Sequence, residues 1–419
     1  MNSPSVGRIR LPKLGLRQGR SNVARKIFLA LLQKTQIGHL ELQEGDQCMH
    51  YGKSDCASSI KARVLIHDQQ LYRDMLGGGS IAAGEAYIRG YWSSPDLTEV
   101  MRFFSANLAL LDGFKSKHSW VFKQTLRLQH FFNRNTQAGS RKNIAAHYDL
   151  GNEFFQHFLD PTMMYSAAVY EEAGSSLHEA SVNKLRVICQ QLELKPSDHL
   201  VEIGSGWGAM AVYAAQNYGC KVTTTTISQE QFKLTRQRVK QAGLEDRVTV
   251  LCEDYRDLQG QFDKLVSIEM IEAVGHEFFA TYFAKLSSLL KPSGIAVIQS
   301  ITIPDARYES YKSSVDFINR YIFPGGCLPS LGQITKHIGE QTDLEMVHLR
   351  DITHDYARTL ADWRDRFSQN LGAIKAMGFD DDFKRLWEYY LCYCEGGFRE
   401  RVIGTVQLTF AKPGYRRPI

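Results

Sequence analysis

The stretch HLVEIGSGWGAMAVYAAQNYG, from His199 to Gly219, decides the fold. A short apolar run passes into three glycines at alternate positions and then into a segment with helical spacing of its apolar residues, which reads as strand, tight turn and helix. The same alternation continues downstream. KVTTTTI, RVTVLC, DKLVSIEM and GIAVIQSITI read as strands, while QEQFKLTRQRVKQAG and FFATYFAKLSSLL read as helices; LHEASVNKLRVICQQL is a helix ahead of the first strand. Repeated βα units with short connections call for an α/β fold built on a doubly wound, Rossmann-like parallel sheet, in which ligands bind at the carboxyl ends of the strands.

The three glycines pose the question of what they hold. Gly204, Gly206, Gly208 and Ala209 satisfy G-x-G-x-x-G/A, which alone is a weak sign of a dinucleotide. A dinucleotide site also wants an acid at the end of the second strand for the ribose hydroxyls. Here that strand runs into TTISQEQ, with no acid before Glu230. A phosphate-binding P-loop is excluded because no Gly-Lys-Ser/Thr follows. What remains is an acid, Glu202, followed by glycine at alternate positions, which resembles the loop of S-adenosylmethionine-dependent methyltransferases. That likeness puts Glu202 near the methionine end of the cofactor and lets Gln231 replace the missing acid as the ribose partner. Glycines serving only a tight turn are the plainer alternative.

A chain of 419 residues is long enough for two domains. Residues 1–24 are rich in Gly, Ser, Arg and Pro and read as a disordered basic tail; from residue 1 to 34 there are eight Lys or Arg and no acid. Residues 25–111, with short alternating segments such as HLELQ and KARVLIHDQ and the glycine-rich turn MLGGGSIAAGEAY, read as a smaller N-terminal α+β domain. Residues 112–144 read as an amphipathic linker helix. Lys123, Arg127, His130 and Arg134 form a basic stripe opposite Val121, Thr125, Leu128 and Phe132. Such a helix can lie on an anionic membrane or pack on a domain with its charges merely solvated. Eight scattered cysteines without a C-x-x-C framework read as reduced intracellular thiols, and no metal site is expected. No apolar run approaches the roughly 20 residues needed to cross a bilayer.

Six ordered segments then carry a more specific resemblance: AAHYDLGNEFFQHFLDPTMMYSAAVY (145–170), VEIGSGWG (201–208), TISQEQ (226–231), EDYRDL (253–258), IEAVGHEFFATYF (271–283) and YIFPGGCLPS (321–330). They closely resemble motifs of the cyclopropane fatty acid synthases and their mycolic acid relatives over roughly residues 140–415. A weaker likeness to the synthases' lipid-binding domain includes GEAYIRGYW (84–92). The resemblance implies a methyltransferase domain over 145–419 and a lipid-binding role for 25–111. It implies that S-adenosylmethionine is held by Tyr165, Ser166, Glu202, Gly204, Gly206, Thr226, Gln231, Tyr255 and Arg256. The implied substrate is a cis double bond in the acyl chain of a membrane phospholipid, reached by peripheral contact at the cytoplasmic face of the membrane. The basic linker helix then gains a reason to meet lipid. A homodimer is allowed and no nucleic acid is expected, because no base-flipping motif accompanies the basic segments.

Attack of an alkene on a sulfonium methyl leaves a carbocation on the chain, so a base must remove a proton. Glu272 stands where the family carries its essential glutamate, and Tyr356, in THDYARTL, matches a family tyrosine whose ring can face a cation. In the synthases these groups, with a histidine and backbone donors, hold a bicarbonate ion thought to act as base. This chain departs from that pattern at three positions: Ala167 replaces a cysteine, Gln299 replaces the histidine, and Glu269 replaces a glycine three residues before Glu272. Gln299 carries no positive charge to hold an anion, and an inward Glu269 repels one. The departures put bicarbonate in doubt and predict Glu272, or the Glu269/Glu272 pair, as the base. The product is then methyl-branched or methylene-bearing; if Gln299 is a tolerated substitution, it is a cyclopropane. A non-catalytic lipid-binding protein on a methyltransferase fold is the rival from another class.

Overall fold

The computed structural model describes residues 21–53, 59–110, 139 and 150–416. The basic stripe expected over 112–144 therefore lies outside the described residues apart from Gly139, as does the expected tail up to residue 20. The first helix, Ser21–Leu32, begins inside the stretch 1–24 that had been expected to be disordered. Contacts gather the chain into two compact units, one of Met1–Phe131, Ser314–Ile322 and Leu360–Val402, the other of Phe132–Ser313, Phe323–Thr359 and Ile403–Ile419. This grouping differs from a linear division near residue 145, since two later segments join the first unit.

The first unit holds a four-stranded sheet of β1 (His39–Glu44), β2 (Gln47–Gly52), β3 (Lys61–Ile66) and β4 (Trp92–Ser93), in the order β2-β1-β3-β4. β3 alternates exposed and buried residues, the signature of a sheet with one face on a core. The glycine-rich segment expected as a turn is instead part of one helix, Gln70–Ile88, kinked at Gly79, where φ is +54°. Packing overrides propensity here: a Cβ at Gly84 would lie 2.5 Å from the Phe317 ring. Close approach also explains why helix Asp381–Arg399 belongs to this unit. A Cβ at Gly396 would stand 2.6 Å from Cβ of Met101, on helix Leu97–Ala106. The fully buried Glu395 on the longer helix is paired with Arg364 and Arg399.

The second unit is built on a seven-stranded sheet of β5 (His199–Ile203), β6 (Lys221–Thr225), β7 (Val248–Leu251), β8 (Phe262–Ile268), β9 (Leu290–Thr302), β10 (Glu345–Asp351) and β11 (Gly404–Ala411). The order is β10-β11-β9-β8-β5-β6-β7. β7, β6, β5, β8 and β9 are parallel, whereas β11 runs antiparallel to both β9 and β10, so the sheet is mixed where a parallel one was expected. The central strands are buried on both faces: Leu200, Val222, Val266 and Val297 face one apolar core, and Val201, Ile203, Leu265 and Ile298 face the other. Helices cover both faces, as parallel pairing requires. Helix Leu177–Gln191 starts with a capping box in which Ser176 and Glu179 satisfy each other's backbone N–H groups. Helix Gln229–Gln241 is capped by the Ser228 hydroxyl, which accepts from the Gln231 N–H. The second of these starts fixes the loop at the carboxyl end of β6. No disulfide occurs among the described cysteines.

Candidate active site

The glycine loop leaves β5 at Gly204. Gly204, Gly206 and Gly208 all have positive φ, at +92°, +49° and +88°, a region that costs other L-residues roughly 1–2 kcal/mol. Gly208 must also be bare, because a Cβ there would stand 2.8 Å from Thr235 Cγ2. Gly206 is different: a Cβ would meet nothing within 4 Å, so its backbone borders open space. The loop is anchored to the next strand by Gly204 and Ser205 N–H groups donating to the Thr225 carbonyl at 3.1 and 2.8 Å.

Around it stand the other groups expected at the cofactor. Glu202 is buried on β5 and accepts from Thr224 Oγ1 on β6 at 2.6 Å. Burial pushes its carboxyl up to about 8, against the pull of that hydrogen bond. Thr226 donates to Gln231 Oε1 at 2.8 Å, so the two expected partners meet at the end of β6. Tyr255 and Arg256 occupy a single 3-10 turn after β7. The Arg256 guanidinium is held by Asp254 through Nε and Nη2, at 2.8 and 2.7 Å, and lies over the Tyr255 ring. The buried Tyr255 hydroxyl has no hydrogen-bond partner among the described residues. Tyr165 packs on Phe155, Phe158 and Phe323, and Ser166 accepts from the ammonium of Lys184 at 2.6 Å.

The acidic half lies beyond β8. Met270 follows that strand, and its Cγ would be 3.3 Å from a Cβ on Gly204, so the acid loop and the glycine loop abut. Among the described residues, Glu269 is one of four non-glycine residues with positive φ, at +49°. Its carboxylate points inward and is saturated with donors. Oε1 accepts from the Ala167 N–H at 2.9 Å and from Gln299 Nε2 at 2.8 Å, and Oε2 accepts from the Tyr356 hydroxyl at 2.8 Å. Gln299 is fixed in that orientation because its Oε1 accepts from Gln407 Nε2 on β11 at 3.0 Å. Burial raises the Glu269 carboxyl above the ordinary carboxylate value, and Lys184 with the three donors opposes that rise without cancelling it.

Glu272 sits in the 3-10 turn Ile271–Ala273. Its Oε1 accepts from Ser300 Oγ at 3.1 Å and from the Ile301 N–H at 2.5 Å, while Oε2 is buried with no partner among the described residues. Burial first, and the charge of Glu269 second, push its carboxyl up to about 8. The four residues expected at the chemistry, Glu269, Glu272, Gln299 and Tyr356, thus form one cluster. Sequence reasoning passed over Lys184, Ser300 and Gln407. A signal for Lys184 is present, since it falls on the apolar stripe of its helix with Leu177, Ala180, Leu185 and Ile188.

The residues present fit S-adenosylmethionine. Open space beside Gly206 and the unpartnered Tyr255 hydroxyl are what a ligand with a cationic sulfonium centre and polar ends would fill. As to metals, one group of ligating residue types exists among the described residues, Glu41, Cys48 and His50 on the β1-β2 hairpin. Glu41 is already paired with Arg63 at 2.9 Å.

Comparison with known proteins agrees with this geometry. Residues 135–408 match the family described as mycolic acid cyclopropane synthetase. The chain is 38% identical over 343 residues to the tuberculostearic acid methyltransferase UfaA1 of Mycobacterium tuberculosis, covering 80% of each protein. It is also 38% identical over 359 residues to the cyclopropane-fatty-acyl-phospholipid synthase of Escherichia coli, covering 84% of this chain and 89% of that one. Among solved structures, the cyclopropane synthase MmaA2 from M. tuberculosis superposes with a TM-score of 0.61 at 28% identity, over 65% of this chain and 98% of its own. The mycolic acid cyclopropane synthase CmaA1 complexed with SAH and CTAB gives 0.60 at 29%, with the same coverage. The glycine loop, the paired acids and these relatives together place the chain in the mycolic acid cyclopropane synthetase family, as an S-adenosylmethionine-dependent methyltransferase.

Proposed function

We propose that the enzyme methylates the cis double bond of a phospholipid acyl chain and releases an open-chain, methyl-branched unsaturated product in place of a cyclopropane. The observation that carries this reading is the Glu269 carboxylate, which takes the Ala167 N–H, Gln299 and Tyr356. By resemblance, bicarbonate in the ring-forming synthases is held by such a tyrosine and by backbone groups, with a histidine at the position of Gln299. Glu269 does this from a left-handed backbone position, where the family has glycine and where a side chain costs roughly 1–2 kcal/mol. Strain kept at a site of this kind points to use. An internal carboxylate leaves no donors for a free anion.

S-adenosylmethionine, when bound, supplies an electrophilic methyl group. Tyr165, Ser166, Glu202, Gly204, Gly206, Thr226, Gln231, Tyr255 and Arg256 hold and orient it. The acyl chain gains CH3 and must lose one proton, a net gain of CH2 whichever product forms. Glu272 is the acceptor of that proton at Oε2, with Oε1 fixed by Ser300 and Ile301. Its raised affinity for a proton makes it a stronger base than an ordinary carboxylate, and a positive charge arriving nearby favours the ionised form needed to start. The Tyr356 ring and the two carboxylates stabilise the cation until the proton leaves. With Glu272 as base, the proton is lost from the chain and not from the new methyl group.

Among the described residues, no helix is long and apolar enough to cross a membrane. Peripheral contact at the cytoplasmic face, with residues 25–111 as the lipid-binding part, fits that observation and the substrate. The decisive experiment is lipid analysis of cells expressing the protein. The two products are isomers, so mass alone does not separate them, whereas oxidative cleavage at a double bond or proton NMR does. A methyl-branched alkene is expected; a cyclopropane would overturn the product reading and leave the methyltransferase assignment standing.

A further inference from the structure

Lys184 is fully buried on a helix whose neighbouring inward positions, apart from Ser181, are apolar. An ammonium in such a place costs several kcal/mol unless it is balanced by charge and hydrogen bonds. Its hydrogen bond goes to the neutral Ser166 hydroxyl at 2.6 Å, which satisfies one proton and balances no charge. The opposite charges that act on it are those of Glu269 and Asp160. Asp160 is engaged elsewhere, by His178 Nδ1 at 2.9 Å and by the Thr162 N–H and hydroxyl at 3.1 and 2.7 Å. Glu269 is the acid whose place in the site is otherwise hard to account for. It is buried, it is strained at its backbone, and its Oε1 faces only donors, so protonation there would discard a hydrogen bond.

The two groups meet across consecutive residues. Lys184 holds Ser166 from the helix side, and Glu269 takes the N–H of Ala167 from the sheet side. The segment Tyr165–Ala167 is therefore clamped between a cation and an anion, and it also carries Tyr165 and Ser166, two of the residues expected to bind the cofactor.

We propose that Lys184 is a positioning residue of the methyl-transfer site, which fixes the Ser166 hydroxyl and supplies the positive charge against which Glu269 remains ionised. The proposal rests on Glu269 acting as the built-in anion. A lysine that merely filled space would be replaceable by an apolar side chain of the same length, whatever stood at position 269. A charge partner is not replaceable in that way, because removing it strands a buried carboxylate. The groups that face Glu269 are Lys184 from its helix, the Ala167 N–H, Gln299 from β9, Tyr356 from helix Thr353–Gln369 and, three residues along its own loop, Glu272. Lys184 is the one cation in that set.

The test is a double-mutant cycle of Lys184→Met and Glu269→Gln, read by thermal melting at pH 7, together with SAH binding and the pH profile of turnover for Lys184→Met and Lys184→Arg. The expected result is non-additive: Lys184→Met melts several degrees below wild type, and adding Glu269→Gln recovers part of the loss. The acid limb of turnover moves up by about one pH unit or more in Lys184→Met, as loss of a close cation raises a carboxyl by that order, and Lys184→Arg restores it. SAH binds several-fold more weakly to Lys184→Met through the released Ser166. Additive melting with an unmoved acid limb overturns the proposal. If Lys184→Met alone does not fold, folding of the double variant supports the charge pairing and failure of both overturns it. A ring product from wild type would defeat the product reading alone, whereas an open-chain product with additive melting would defeat this inference alone.

Discussion

The glycine loop and the acid loop abut at Gly204 and Met270, yet they are built on opposite principles. The glycine loop is local. Its three positive-φ residues lie within five positions, and its shape is set by backbone freedom and by two hydrogen bonds to the adjoining strand. The acid loop is made by distance: Glu269 is held by residues 102, 30 and 87 positions away. The first can keep its form through much sequence change. The second depends on what a single distant substitution brings to it. In the function proposed here, the cofactor half carries the features shared with the family, and the acid half, where Glu269 stands, is the part that would set the product.

The contrast is broken most severely at Glu272. Glu272→Gln keeps the hydrogen-bonded shape and removes the proton acceptor, so turnover falls by roughly 10²–10⁴ while calorimetry shows SAH affinity near that of wild type. Activity surviving that change would move the base elsewhere. The same variant reads out stability against pH. Glu272 and Glu202 are both held up to about 8 in the folded state, from an ordinary value of 4.5. The stability gained from keeping them neutral is complete below the ordinary carboxylate range and is lost as pH rises through about 8. Wild type should melt lower at pH 8.5 than at pH 6, and Glu272→Gln should lose part of that decline.

A smaller and more selective effect is expected from Glu269→Gly. The substitution relieves the left-handed strain and frees the Ala167 N–H, Gln299 and the Tyr356 hydroxyl together. Turnover should drop at least about tenfold, the loss of roughly 1.4 kcal/mol, and added bicarbonate should restore part of it and raise the share of ring product. Indifference to bicarbonate would mean that the three donors do not form an anion site. The smallest effect is on the other side of the comparison. Gly206→Ala meets no neighbouring atom, so its cost is confined to backbone conformation, roughly 1–2 kcal/mol. SAH should bind several-fold more weakly with the product unchanged, as calorimetry and lipid analysis would show.

Much of this was legible in the chain itself. Strand β5 and its loop follow from an apolar run, spaced glycines and helical periodicity, which are properties of neighbouring residues and need no fold to act. The reversed direction of β11 was not legible as such, because period-two hydrophobicity records burial and not strand direction. The helical glycine run around Gly79 was also misread as a turn, since the contact of Gly84 with Phe317 that justifies it spans most of the chain.

The sequence by itself determined the βα alternation, the glycine loop and the residue types available for chemistry, because each is fixed by local sterics and hydrophobic spacing. Only the tertiary structure decided that Glu269 turns inward, that Gln407 sets the amide of Gln299, and that Lys184 brings a charge to the back of the site. Charges and hydrogen-bond donors act through space. What a buried carboxylate does depends on which distant groups folding brings to it.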